Sequence, residues 1–293
     1  MKSRIINKKG TLAIIVLTVI ILISGIVFAT MLAKGDNAKN ANATLTTVPS
    51  TVSTTALTTT TTATTTTTQA AIDVSKLDKK KVVCLCFDDG PSPRTTTKLL
   101  DGLKKRNAHA TFFMLGANAK ANPDIVKRIV REGHSVGNHS ANHGDLTALD
   151  SEEKVRREID KSAKMIEQAG GVYPKHFRPP YGNFNNKVKA AVYNLNMDMI
   201  YWNVDPKDWS TKNAENVCAY LIKDAGDGGD IVCVHDIYQT TVDGVLRAID
   251  TMQANGYQFI SIDEFEQLMS GGFVRGRMWF SGHEYYDYKK PAK

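Results

Sequence analysis

Cysteine is scarce: there are four in 293 residues, and their spacing fits no zinc-binding motif. None closely follows the chain's long apolar run, which argues against a lipid-anchored cysteine. No internal repeat is visible, so solenoid and propeller architectures are excluded. Net charge is also sparse where it would matter for nucleic acid. The formal total is +7, and the first 40 residues hold six Lys/Arg and one Asp, so +5 sits there and +2 remains for everything else. No basic patch is left to bind nucleic acid. Cys84 and Cys86 alternate on one predicted strand and point the same way. Cys233 falls on a second strand and Cys218 on a helix. All four read as small buried hydrophobes. A Cys218–Cys233 bridge stays open, because an exported chain can form disulfides.

What the N-terminus does have is Lys2, Arg4, Lys8 and Lys9, followed by an uncharged run from Thr11 to Leu32. That run is long enough to cross a bilayer as a helix, which needs roughly 20 apolar residues. Residues 1–10 then form a cytoplasmic basic flank, 11–32 an anchor, and the rest of the chain lies outside. The alternative is a signal peptide cut after Ala29, giving a secreted protein, but signal cores usually run about 7–15 residues. Residues 33–76 contain a Thr-dominated tract, Thr44 to Thr68. It has too little apolar surface to offset its ordering entropy and reads as a disordered spacer.

From Lys81 to about Met269, strand-like and helix-like segments alternate. Strands are expected at Val82–Phe87, Ala110–Leu115, His134–Asn138, His176–Arg178, Asp198–Asn203, Asp230–Val234 and Gln258–Ile262. A long helix at Ser151–Ala169 is expected to start at Asp150 as N-cap and stop at Gly170-Gly171. Such alternation predicts an α/β domain with a parallel sheet, here residues 77–270. Periodicity alone is equally consistent with an open doubly wound sheet and an irregular barrel. The 271–293 tail carries Trp279, Phe280, Tyr285, Tyr286 and Tyr288 and is expected to pack on the domain, with sugar stacking as the alternative.

Five polar motifs follow predicted strands in order: Phe87-Asp88-Asp89-Gly90, His139-Ser140-Ala141-Asn142-His143, Arg178-Pro179-Pro180-Tyr181-Gly182, Asp205-Pro206-Lys207-Asp208-Trp209 and Val234-His235-Asp236. His139 and His143, four apart, would share one face of a helical turn and offer two metal ligands. Asp88 and Asp89 can flank one site only if the chain bends, which Gly90 permits. One carboxylate would then ligate a metal and the other address water. The Pro179-Pro180 bend is stiff and could hold Arg178 against a carboxylate. Asp205 and Asp208 could orient His235 and keep it protonated, with Trp209 as an apolar wall. His109, His134, His176 and His283 read as structural or exposed. The set is what metal-assisted hydrolysis needs. Two His and a carboxylate also suit an iron(II) oxygenase, but such a site has no need of the spare Asp, Arg and His.

These motifs, with Ala110-Thr111-Phe112-Phe113, resemble the polysaccharide deacetylase family, the NodB-homology or family-4 carbohydrate esterases, over about Lys81 to Ser270. The resemblance implies a distorted (β/α) barrel with its site on the rim, and removal of acetyl groups from a glycan. It implies Asp89, His139 and His143 as ligands of a divalent metal, zinc first, with cobalt, manganese or nickel as alternatives. Asp88 would be the base, positioned by Arg178. The Tyr181 backbone N–H would stabilise the oxyanion. His235, tuned by Asp208, would be the acid. Pro179, Tyr181, Trp209 and Cys233 would contact substrate. The family usually has Leu where this chain has Cys233, which implies a slightly roomier acetyl pocket. A muramic-acid branch usually lacks the second Asp of the first motif, and this chain keeps both.

Topology then points to the substrate. An extracellular domain on a tether faces the cell wall, so the expected function is deacetylation of peptidoglycan N-acetylglucosamine by a monomeric, membrane-anchored enzyme. Chitin oligomers, exopolysaccharide and acetylated xylan are the alternative substrates. A catalytically inactive glycan-binding module is the remote alternative.

Overall fold

In the computed structural model, the residues described are 72–287, apart from 227 and 270. The expected span at 11–32 and the Thr-rich tract lie outside them. Among the described residues no helix is long and apolar enough to cross a membrane.

The first strand, β1 (Val82–Asp88), is buried at every position. Unbroken burial means both faces are covered, as in a parallel α/β sheet. Val83, Leu85 and Phe87 join one core cluster, while Val82, Cys84 and Cys86 join another. The remaining parallel strands are β2 (Thr111–Met114), β3 (Ser135–Asn138), β4 (His176–Phe177), β5 (Asp198–Ile200), β6 (Asp230–His235) and β7 (Gln258–Ile260). The lateral order runs β6-β1-β2-β3-β4-β5, and β7 pairs with the start of β1 below β2. Beyond β5, Val204 forms a parallel bridge to Val232 on β6, so the two ends of the run meet. The result is a parallel-strand α/β half-barrel.

The covering helices are α1 (Thr96–Lys105), α2 (Gly116–Ala121), α3 (Pro123–Arg131), α4 (Glu152–Gly170), α5 (Asn186–Asn194), α6 (Asp208–Thr211), α7 (Ala214–Asp224), α8 (Gln239–Ala254) and α9 (Ile262–Leu268). Helix α4 buries Val155, Ile159, Ala163 and Ile166, the spacing of a single helical stripe. Its N-cap is Ser151, whose hydroxyl accepts from the Lys154 amide, and not Asp150 as expected. Asp150 instead pairs with the Lys154 ammonium at 2.7 Å. Gly171, at φ 79°, ends the helix in the left-handed region. Helix α9 opens with a capping box between Ser261 and Glu264.

Two features depart from the sequence reading. Helices α2 and α6 were not expected, because six and four residues are too few to show a period. The C-terminal tail also does more than pack on the domain. Its β8 (Arg277–Trp279) extends the sheet beside β5, and β9 (Tyr285–Asp287) returns antiparallel to it.

His109, His134 and His176 are buried at the strand starts, the end opposite the motifs. His109 Nδ1 meets Glu264 at 2.5 Å and His176 Nε2 meets Asp263 at 3.0 Å. His283 is exposed.

Gly137 on β3 lies opposite Phe113 on β2, and a Cβ there would come within 2.3 Å of the Phe113 ring. Gly137→Ala should therefore destabilise by about 1–3 kcal/mol through overpacking. The check is urea unfolding, with a lowered midpoint at unchanged slope. A midpoint equal to the parent's would show that the ring has room to move.

Candidate active site

All five motifs reach the C-terminal rim of the sheet, where parallel α/β folds place their sites. They surround a pocket of about 460 Å³ lined by Asp88, Asp89, His139, His143, Cys233 and His235 among others.

The floor is set by Arg178, at the end of β4 and fully buried. Its Nη1 donates to Asp88 Oδ1 at 2.8 Å, its Nη2 to the Tyr201 carbonyl at 2.8 Å and its Nε to the Ile200 carbonyl at 3.2 Å. The guanidinium also lies 4.3 Å from the Phe113 ring centroid and 5.4 Å from that of Trp202. Burial alone would raise the Asp88 pKa. The positive charges of Arg178 and then His235 outweigh it and hold the carboxyl below its ordinary value. Asp88 Oδ2 stays clear of Arg178, accepts from the Cys233 thiol at 3.4 Å and lies 4.0 Å from His139 Nε2.

The chain bends at Asp89 itself, whose φ is 73°. Gly90 serves a different need from the expected one: a Cβ there would collide with the buried Asp236 carboxylate at 2.3 Å. The expected helical turn at His139–His143 is also absent. Those residues form a loop in which Ser140 and His143 have positive φ. Asn138 Oδ1 accepts from the Ser140 amide at 3.1 Å, and Ser140 Oγ accepts from the His143 amide at 3.0 Å. The rings still meet, with centroids 5.0 Å apart.

Asp89 Oδ1 lies 3.7 Å from His139 Nε2 and 3.5 Å from His143 Nε2. That oxygen is buried without a hydrogen-bond partner. His139 Nδ1 donates to the Arg178 carbonyl at 2.7 Å, which leaves Nε2 as a lone pair facing Asp89. Burial outweighs Asp88 and Asp89 and lowers the His139 pKa, so the ring is neutral. Two imidazoles facing one orphaned carboxylate oxygen fit a divalent cation.

His235 ends β6. Its Nδ1 meets Asp208 Oδ1 at 2.9 Å, and its backbone N–H donates to Asp208 Oδ2 at 2.9 Å. Thr241 Oγ1 donates to the same Oδ2 at 2.6 Å. Asp205, the other expected partner, does not reach His235; it lines the pocket and accepts from the Lys207 amide at 2.8 Å. Helix α6 explains the choice, because it buries Asp208 at its first position. Burial opposes charge on His235, but the hydrogen bond and negative charge of Asp208, then Asp88 and Asp89, push its pKa up to about 9.

Pro179, Tyr181, Trp209 and Cys233 also line the pocket. Tyr181 has φ 60° and a mostly exposed side chain whose ring meets His143 edge-on at 4.3 Å. Trp209 is half-exposed at the rim. Cys218 and Cys233 are both free, so the bridge between them is not formed. Sequence reading missed Trp202 and Tyr238 as lining residues. It also missed the supports Asn138, Thr241 and Asp236. Only Asp236, adjacent to His235, carried a signal.

In metal-free protein, His235 should titrate near 9 by imidazole NMR, and Asp208→Asn should return it toward 6.5. Because the folded value is raised, the charged ring contributes stability that is complete below about pH 6.5 and lost as pH rises through about 9. An unshifted His235 in the parent would refute this coupling.

Comparison with known proteins bears on the same residues. The polysaccharide deacetylase profile matches residues 75–200. The chain is 39% identical over 189 residues to the peptidoglycan-N-acetylmuramic acid deacetylase PdaC of Bacillus subtilis, covering 64% of this chain and 39% of PdaC. It is 39% identical over 201 residues to the peptidoglycan-N-acetylglucosamine deacetylase PgdA of Listeria monocytogenes, covering 68% of this chain and 42% of PgdA. The chain thus spans about two fifths of the length of these relatives. A solved structure of the Bacillus subtilis peptidoglycan deacetylase PdaC superposes with a TM-score of 0.62 at 38% identity, over 66% of this chain and 93% of that one. Sequence, fold and the placement of the five motifs agree: the chain belongs to the polysaccharide deacetylase family.

Proposed function

We propose that this protein removes N-acetyl groups from N-acetylglucosamine residues of peptidoglycan in a metal-dependent hydrolysis. The observation that carries the reading is one pocket holding an ionised Asp88 and a protonated His235 beside the Asp89–His139–His143 cradle. A divalent cation in that cradle supplies Lewis-acid polarisation of an acyl oxygen and acidifies water; zinc is the first choice for this donor set.

The chain's own groups do the rest. Arg178 holds Asp88 Oδ1, so Oδ2 is the oxygen presented to water and takes its proton as the water oxygen joins the acyl carbon. The Tyr181 N–H, on its left-handed turn, donates to the developing oxyanion. As the C–N bond breaks, His235 delivers its proton to the departing amine while Asp208 fixes the ring through Nδ1. Acetate and a glycan amine result. Pro179, Trp209 and Cys233 bound the space for the acetyl group.

Both reported relatives are named for peptidoglycan, one for each of its sugars. The second aspartate of the first motif, Asp89, is kept in this chain, and that favours the glucosamine reading. The apolar run at 11–32, behind its basic flank, supports a single-pass anchor with the catalytic domain outside the cell; the family resemblance suggests a monomer.

The decisive experiment is acetate release by the purified protein from peptidoglycan, chitin oligomers and acetylated xylan, with zinc or cobalt added and with chelator. Chelator-sensitive release, greatest on peptidoglycan, is expected. Release only from xylan would replace the amide substrate with an ester, and no release at all would leave a glycan-binding module. Asp88→Asn should keep the cradle's metal and lose turnover, and His139→Ala should lose the cradle's metal. His235→Ala should keep metal and slow turnover by roughly 10²–10⁴-fold. Full activity in Asp88→Asn would overturn the base assignment.

A further inference from the structure

The pocket contains a second set of donors that the cradle does not use. Asp88, Cys233 and His235 each offer a ligand atom, and these atoms lie within 4.8 Å of one another. The backbone fixes them. Asp88 and His235 are register partners on β1 and β6, and Cys233, two residues before His235, shares its face of β6. Asp208 already occupies His235 Nδ1, which leaves Nε2 as the donor nitrogen. Cys233 is nearly buried, yet its thiol contacts Asp88 Oδ2 and it lines the open pocket.

One sulfur, one imidazole nitrogen and one carboxylate oxygen make a ligand set that suits zinc and other thiophilic divalent cations. The Asp89–His139–His143 cradle has no sulfur. We propose that Asp88, Cys233 and His235 form a second, weaker site for a thiophilic divalent cation, zinc foremost, and that its occupancy shuts the enzyme down. The inhibitory half of this proposal rests on the hydrolase reading above, because the second cation would occupy the groups assigned as base and acid.

The chemistry balances. Binding expels one proton from the Cys233 thiol and one from the His235 imidazolium, so an incoming divalent cation leaves the formal charge of the pocket unchanged. The cradle fills first because Asp89 Oδ1 has no hydrogen-bond partner to displace, whereas at the second site Asp88 Oδ2 already accepts from the Cys233 thiol.

The test is equilibrium dialysis of the full chain against zinc or cobalt, with metal analysis, alongside the electronic spectrum of the cobalt form. Two equivalents should bind to the parent and one to Cys233→Ala. Cys233→Ser, which keeps a hydroxyl beside Asp88, should behave like Cys233→Ala. A thiolate-to-cobalt charge-transfer band should grow only with the second equivalent and be absent from both variants. His139→Ala should lose the first equivalent and keep the band. Acetate release should rise through the first equivalent and fall through the second, and each Cys233 variant, measured against its own activity, should lose the fall. One equivalent without a charge-transfer band would overturn the proposal, as would an identical fall in the variants. Two equivalents with the band but no acetate at any loading would uphold the site and count against the hydrolase reading instead.

Discussion

The buried pair between Arg178 and Asp88 is the constraint on which the site depends. A guanidinium with no solvent exposure is a costly thing to fold, and replacing such a pair with apolar groups often leaves a protein as stable or more so. Here each of the three guanidinium nitrogens donates a hydrogen bond. Arg178 reaches across the half-barrel from β4 to β1 and to the carbonyls just after β5, between Phe113 and Trp202. The same residue's carbonyl takes the proton of His139 Nδ1. One side chain and its own backbone oxygen therefore set both the ionisation of Asp88 and the tautomer of His139, a residue of the candidate metal cradle. Stability alone does not account for this arrangement; a poised carboxylate beside a candidate cation site does.

The loops around that pair are held in uncommon conformations. Among the described residues, Asp89, Ser140, His143, Tyr181 and Lys207 all have positive φ and all lie within the motifs. Non-glycine residues there cost of order 1–3 kcal/mol each, and they persist only where surrounding contacts over-determine them. Asn138 shows how: it spends its amide on the Ile159 carbonyl of α4 and its oxygen on the Ser140 amide. A well-packed helix thus anchors the loop that presents both histidines.

This division explains what was legible in the sequence. The strand-helix alternation, the five motifs and their place at strand ends could be read because hydrophobic period and residue type survive in one dimension. The loop geometry could not. His139 and His143 have helical spacing, yet they meet through left-handed residues and side-chain hydrogen bonds that no period encodes. Asp205 and Asp208 are equivalent candidates on paper, and only the short α6 turn buries one and leaves the other at the pocket edge. Thr241 and Trp202 act through contacts with distant segments and look ordinary in sequence. The strands β8 and β9 were hidden because three-residue strands paired at an edge carry almost no pattern.

The histidines at the two ends of the sheet show how the same side chain comes to different chemistry. At the strand starts, His109 and His176 each place a ring nitrogen directly on a carboxylate, at 2.5 and 3.0 Å. Those contacts pair a buried imidazole with a partly exposed acid, and they sit between elements that need joining: α9 with β2, and α9 with β4. At the strand ends, His139 Nδ1–H donates its hydrogen bond to a backbone carbonyl instead, so its remaining nitrogen faces Asp89 with a lone pair and no hydrogen to share. Two acceptors facing one another at 3.7 Å repel unless something positive lies between them. A proton on His139 would answer that need, but burial disfavours it. The backbone carbonyl of Arg178 thus turns a structural histidine–carboxylate pair into a candidate cation site.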